Sequence, residues 1–139
     1  MSDKIKVGII GCGGIANGKH LPALSHQKSR VDIIAFCDLI LERAEKAAKE
    51  YGTPDAKVYT DYKELLKDER IDVVHVLTPN VAHCELTVAA LEAGKHVMCE
   101  KPMAATPADA KKMLDAQKKS GKLLTIGYQN RYRQDSQVL

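Results

Sequence analysis

The sequence predicts an α/β fold, a doubly wound, mostly parallel sheet of six strands with helices on both faces. Three observations carry that expectation. Strand and helix signals alternate from one end to the other, the strands are continuous apolar runs, and the first strand leads directly into a glycine cluster that opens a helix. Continuous apolar strands are buried on both faces, as a parallel sheet covered by helices requires.

Residues 5–10 (IKVGII) read as the first buried strand, followed by Gly11-Cys12-Gly13-Gly14. A helix is expected next, with Ile15, His20, Leu21 and Leu24 at mixed spacings of three and four, although Gly18 and Pro22 weaken it. Residues 31–37 (VDIIAFC) form a second strand, and residues 41–51 (LERAEKAAKEY) a helix stopped by Gly52. Val58-Tyr59 is a short strand, and Thr60 or Asp61 caps a helix through Leu65-Leu66. Residues 71–77 (IDVVHVL) make the next long strand, closed by Thr78-Pro79-Asn80, and residues 82–93 a helix ending at Gly94. Residues 96–99 are a strand, residues 107–119 a helix with proline in its first turn, and residues 123–126 the last strand.

Composition bounds the function. The 139 residues carry 21 basic and 18 acidic side chains, a formal charge of +3, with 45% hydrophobic and 28% charged residues. That is an ordinary globular balance. A chain of this length buries roughly two-thirds of its unfolded surface, enough for one core. Basic and acidic residues interleave (Lys63-Glu64, Lys67-Asp68-Glu69-Arg70), so no nucleic-acid surface is expected. No apolar run approaches the roughly 18 residues that span a bilayer, so no membrane association is expected. Lys4 and Lys6 interrupt the amino-terminal apolar stretch, which leaves no signal-peptide core and points to the cytoplasm. Cys12, Cys37, Cys84 and Cys99 show neither CxxC nor zinc-type spacing, so reduced thiols and no metal are expected.

Gly11-Cys12-Gly13-Gly14-Ile15-Ala16 fits G-x-G-x-x-A between a strand and a helix. The first glycine permits the tight turn and the second lets backbone approach a pyrophosphate. The third position must be small for close helix–strand packing. The helix that follows offers unpaired N–H groups to phosphate. Asp38 ends the second strand, 22 positions after Ala16, where a carboxylate would accept hydrogen bonds from an adenosine ribose. It could equally cap the helix that follows it. A carboxylate suits a free 2′-hydroxyl and repels a 2′-phosphate, which favours NAD and leaves NADP possible. Arg43 reads either as a solvated helix residue or as a guanidinium over the adenine or a phosphate.

Two turns lie at the carboxyl ends of later strands, Thr78-Pro79-Asn80 and Glu100-Lys101-Pro102. Such ends border the crevice where doubly wound sheets bind ligands. Asn80 can bond a ribose. Lys101 can bind a substrate hydroxyl and help move its proton, or be a surface lysine.

The blocks VGIIGCGGIA, FCD, VLTPNVAH, GKHVMCEKPMA and IGYQNRY, in this order, resemble the amino-terminal half of the Gfo/Idh/MocA family of sugar and polyol dehydrogenases. The resemblance spans essentially the whole chain. It implies a six-stranded Rossmann domain and a cofactor whose adenine half is held by Gly11, Gly13, Gly14, Ile15, Asp38 and Arg43. Thr78, Pro79, Asn80 and His83 would flank the nicotinamide half. Glu100 would lie near the nicotinamide ribose, and Lys101 would be the catalytic lysine, with Pro102 often following a cis bond in the family. Gln129 would contact the cofactor as the chain crosses toward the substrate, with Arg131 in the same segment. His83 could instead be a helix-face residue without a ligand. His20, His26, His75 and His96 are read as structural.

Family members continue as an open antiparallel sheet that carries a second acid/base and most of the substrate pocket. That carboxyl-terminal substrate domain is expected to be absent here. Residues 1–128 are then the dinucleotide-binding domain, and residues 129–139 the start of a truncated crossover, with residues 133–139 reading as the opening turn of a helix. The implied function is hydride transfer between a nicotinamide cofactor and a polyol, sugar or related hydroxylated substrate, in a full-length enzyme that forms a homo-oligomer. The isolated chain should bind dinucleotide with little turnover. A non-catalytic dinucleotide-sensing module is the alternative, and the intact Glu-Lys-Pro turn argues against it. A methyltransferase using adenosyl-methionine is disfavoured by both turns.

Overall fold

The computed structural model describes residues 3–128. Six strands, β1 (Ile5–Ile10), β2 (Val31–Cys37), β3 (Lys57–Tyr59), β4 (Val73–Val76), β5 (His96–Glu100) and β6 (Leu124–Gly127), form one sheet in the order β3-β2-β1-β4-β5-β6. Every neighbouring pair is parallel. Strand order therefore reverses between β1 and β4, and the carboxyl ends of these two strands open a crevice at the switch point.

Five α-helices cover the two faces: α1 (Leu21–Ser25), α2 (Leu41–Tyr51), α3 (Tyr62–Leu66), α4 (His83–Glu92) and α5 (Pro107–Ser120). On one face α1 and α2 enclose Val7, Ile9, Leu21, Ile33, Phe36, Ala44 and Ala47. On the other, α3, α4 and α5 enclose Ile10, Ile34, Leu65, Val74, Val76, Leu91, Val97 and Met113. Successive strand residues feed opposite faces, so continuous apolar strands are what two covered faces demand. One irregularity breaks the alternation. Val7 pairs with Ile33 but Gly8 pairs with Ala35, so Ile34 is an extra residue and both Ile34 and Ala35 join the same cluster.

Local signals account for the helix ends. Asp61, not Thr60, caps α3 by accepting from the Lys63 N–H at 2.9 Å. Thr106 caps α5 through the Asp109 N–H at 3.1 Å, with Pro107 in the first turn. The helix after the glycine loop departs from the expected form. Residues Ala16–His20 make a π-turn before α1, because Pro22 has no N–H to give Gly18 and its ring crowds that carbonyl. The expected helix over 82–93 starts instead with a 3₁₀ turn, Asn80–Ala82.

The four cysteines are free thiols. Burial pushes Cys12 up to about 12, and Cys37 and Cys99 up to about 11, so all three pack as small neutral hydrophobes. No described helix is long and apolar enough to cross a membrane. The substrate-side segment from residue 129 onward, including Gln129 and Arg131, lies outside the described residues.

Phe36, the chain's one phenylalanine, is fully buried. Its ring lies so near Gly52 that a β-carbon there would come within 2.8 Å of it. Phe36→Ala should therefore lower the unfolding free energy by about 3–5 kcal/mol, as measured by urea denaturation.

Candidate functional site

The site begins where β1 ends. Gly11 has φ +99°, and a β-carbon there would stand 2.7 Å from the Leu77 carbonyl oxygen. Only glycine fits both demands. Its N–H donates to the Cys37 carbonyl at 2.8 Å, which ties the loop to the end of β2. Asp38 completes that tie. Its Oδ2 accepts from the Cys12 N–H at 2.9 Å and its Oδ1 from the Ile40 N–H at 2.8 Å. The two sequence readings of Asp38 thus merge: the carboxylate turns toward the glycine loop and also braces the start of α2. Two of its roughly four acceptor directions are used, and the rest remain for a ligand hydroxyl.

Gly13 and Gly14 are not required by packing. A β-carbon on Gly13 would meet only the Arg43 guanidinium, at 3.9 Å, and one on Gly14 nothing within 4 Å. The guanidinium therefore faces the loop across an open gap. Asn17, which sequence reasoning missed, holds the loop's shape by donating from Nδ2 to the Cys12 and Gly13 carbonyls at 2.8 and 2.9 Å. An asparagine one turn into a glycine-opened helix is the signal that could have found it. Ile15 is half-buried beside the loop, and Ala16 is fully buried against β1. The small third position is thus used for packing, as the motif requires.

The two later turns meet beneath the same crevice. His83 is fully buried at the start of α4, with Nε2 2.9 Å from the Thr78 carbonyl and Nδ1 2.7 Å from the Pro102 carbonyl. Expected either to flank the nicotinamide half or to sit on a helix face without a ligand, His83 is placed buried between the two turns. Its ring lies between the Thr-Pro-Asn and Glu-Lys-Pro turns with each nitrogen against a carbonyl oxygen, to one of which a neutral imidazole donates. Pro79 and Asn80 are exposed above it, and Thr78 is half-buried. The Lys101–Pro102 bond is cis. Lys101 is exposed at the carboxyl end of β5.

Glu100 is 6% exposed and shares one oxygen with His20, Nε2 to Oε2 at 2.6 Å. His20 Nδ1 in turn lies 3.3 Å from His75 Nδ1, the rings meeting edge to face. Burial, with His20 alongside, pushes His75 down to about 4. The other Glu100 oxygen, Oε1, is buried with no hydrogen-bond partner among the described residues. His20 and His75 were read as structural. A polar residue inside the apolar strand run IDVVHVL was the available signal for the second.

A bound dinucleotide fits these features. The gap at Gly13 is a cradle that a β-carbon would fill, the guanidinium across it matches a phosphate, Asp38 matches a ribose diol, and Glu100 Oε1 is an unmet acceptor.

A family model described as an oxidoreductase family with an NAD-binding Rossmann fold matches residues 5–128. The chain is 41% identical over 129 residues to inositol 2-dehydrogenase of Salmonella paratyphi B, covering 92% of this chain and 38% of that one. It superposes with a TM-score of 0.90 and 29% identity on the WlbA dehydrogenase from Bordetella pertussis, solved with NADH and UDP-GlcNAcA, over 98% of this chain and 40% of that one. KijD10, a 3-ketoreductase from Actinomadura kijaniata solved with NADP and TDP-benzene, gives 0.88 and 31% over 98% and 41%. The chain thus spans about two fifths of the length of the relatives it matches.

The low value of His75 has a measurable consequence. Unfolded, the imidazole titrates near 6.5; folded, near 4. Between these values the unfolded chain binds the extra proton, so stability rises with pH. The contribution is complete above about 6.5 and lost as pH falls through about 4, amounting to roughly 3 kcal/mol or slightly more. His75→Val should flatten that part of the acid limb in urea unfolding followed between about pH 4 and 7.

Proposed function

This chain belongs to the Gfo/Idh/MocA oxidoreductase family, and on that premise we propose that it is the dinucleotide-binding part of a hydride-transferring dehydrogenase. The substrate class is a polyol, sugar or related hydroxylated compound, in keeping with the inositol and nucleotide-sugar enzymes it resembles. One observation carries the cofactor reading. The loop after β1 holds an open gap between Gly13 and the Arg43 guanidinium, with the Asp38 carboxylate fixed at its base.

In this reading Gly11, Gly13, Gly14 and Ile15 pass backbone along the pyrophosphate, and Asp38 receives the adenosine ribose diol. An anionic Asp38 repels a 2′-phosphate, so NAD is preferred, and Arg43 keeps NADP in reach. Thr78, Pro79, Asn80 and Glu100 border the nicotinamide-side ribose, with Asn80 supplying both donor and acceptor. Gln129, beyond the described residues, belongs to the same proposal. The nicotinamide supplies the hydride acceptor when bound. Lys101 is the catalytic residue of this chain: its neutral amine would accept the substrate hydroxyl's proton as hydride leaves the carbinol carbon, and the resulting ammonium would return that proton in the reverse direction. A second acid/base and the substrate pocket come from beyond the part of the relatives this chain matches. Residues 1–128 form the cofactor domain, residues 129–139 lead toward a substrate domain, and the full-length protein is a cytoplasmic homo-oligomer. The chain alone binds dinucleotide but turns over little, since substrate placement supplies much of such a rate.

Titrating the chain with NADH, followed by nicotinamide fluorescence, tests the reading. Saturable binding is expected, with NADPH weaker by roughly tenfold or more. Gly13→Val should abolish binding while the thermal melt stays close to that of the parent, because the new side chain enters the cradle and not the core. A chain that binds neither dinucleotide, or a Gly13→Val variant that binds as the parent does, would overturn it.

A further inference from the structure

The polar chain His75–His20–Glu100 has a direction. A carboxylate only accepts hydrogen bonds, so the proton in the 2.6 Å contact rides on His20 Nε2. The tautomer that carries its proton on Nε2 turns the Nδ1 lone pair of His20 toward His75. His75, held neutral by burial, gives its Nδ1 proton to that atom. Three residues from the π-turn, β4 and β5 are thereby arranged so that one carboxylate oxygen is used, while the other, Oε1, is buried without a partner among the described residues.

Resting on the dinucleotide reading above, we propose that His20 is a positioning residue for the nicotinamide half of the site. By occupying Glu100 Oε2 it fixes the carboxylate so that Oε1 is the acceptor left for a hydroxyl of the nicotinamide-side ribose. His75 fixes the tautomer and plane of His20, as an outer partner does for an imidazole bound to a carboxylate. The unmet Oε1 is the supporting observation, because a buried acceptor without a donor is costly unless a ligand supplies one. Since His20 also lies on the helix that the glycine loop opens, the arrangement links the pyrophosphate end of the crevice to the Glu-Lys-Pro turn.

The test uses the full chain and two probes, NADH and ADP, which differ by the dihydronicotinamide and its ribose. Each variant is first checked by circular dichroism and thermal melting. His20→Asn is too short to reach Glu100, and His20→Gln places an amide N–H near the position of imidazole Nε2. His20→Asn is expected to weaken NADH by roughly tenfold and leave ADP unchanged, whereas His20→Gln keeps most of the affinity. In a Glu100→Ala background, His20→Asn should cost nothing further. Equal loss for ADP and NADH would mark a merely structural role at the loop and overturn the proposal. So would no loss at all, or full additivity with Glu100→Ala. A parent chain that binds ADP and NADH equally well refutes this inference alone, and one that binds neither removes the dinucleotide reading and the inference with it.

Discussion

The crevice depends on a turn that only a residue without a side chain can make. At Gly11 the backbone takes a left-handed φ within reach of the Leu77 carbonyl at the end of the neighbouring strand. Any β-carbon would push β1 and β4 apart where their carboxyl ends must diverge by a controlled amount. Once the turn is made, the Gly11 N–H bonds the Cys37 carbonyl and the next N–H bonds the Asp38 carboxylate. The loop is thereby pinned to β2 on one side and lies against β4 on the other. The gap at Gly13, the Asp38 carboxylate and the two strand ends that border the crevice are all located relative to that one residue.

The fold was legible because its signals are local. Six continuous apolar runs, the glycine stops, the Asp61 cap and the proline in the first turn of α5 each act within a few residues, and the structure uses them where the sequence placed them. The exceptions are local too, but rest on geometry that pattern reading does not weigh. Pro22 widens the preceding turn into a π-form, and an extra residue at Ile34 resets which face of β2 its neighbours feed. Neither changes the topology, since the apolar content of the strands survives both.

The site was legible only in part, and the division follows sequence distance. Gly11, Gly13 and Asp38 could be read because their spacing encodes a strand, a turn and a helix in series. The roles of the histidines depend on partners far away. His83 joins Thr78 to Pro102, and His20 reaches Glu100 across 80 positions and His75 across 55. No periodicity announces such pairings. His83 in particular reads equally as a ligand-facing or a supporting residue until its burial is known, and burial is a property of the folded packing of α4 against the two turns.

Enclosure and function separate on this sheet. A cavity of about 290 Å³ lies at the amino ends of β4 and β5, lined by Asp72, Lys95, His96 and Lys122 among others. Three of its polar groups are already matched: Asp72 accepts from the Lys6 backbone N–H, His96 Nδ1 from the Leu123 N–H, and Lys95 donates to the Asp68 carbonyl. That cavity is a by-product of strand ends held together by their own hydrogen bonds. The opposite ends carry, among the described residues, a buried acceptor without a donor, Glu100 Oε1, and the gap between Gly13 and Arg43. Buried hydrogen-bonding capacity without a partner costs stability in the bare fold and is recovered when a ligand provides the missing donor. It is this unmet acceptor, and not concavity, that distinguishes the two ends of the sheet and supports the proposed placement of the cofactor at the carboxyl side.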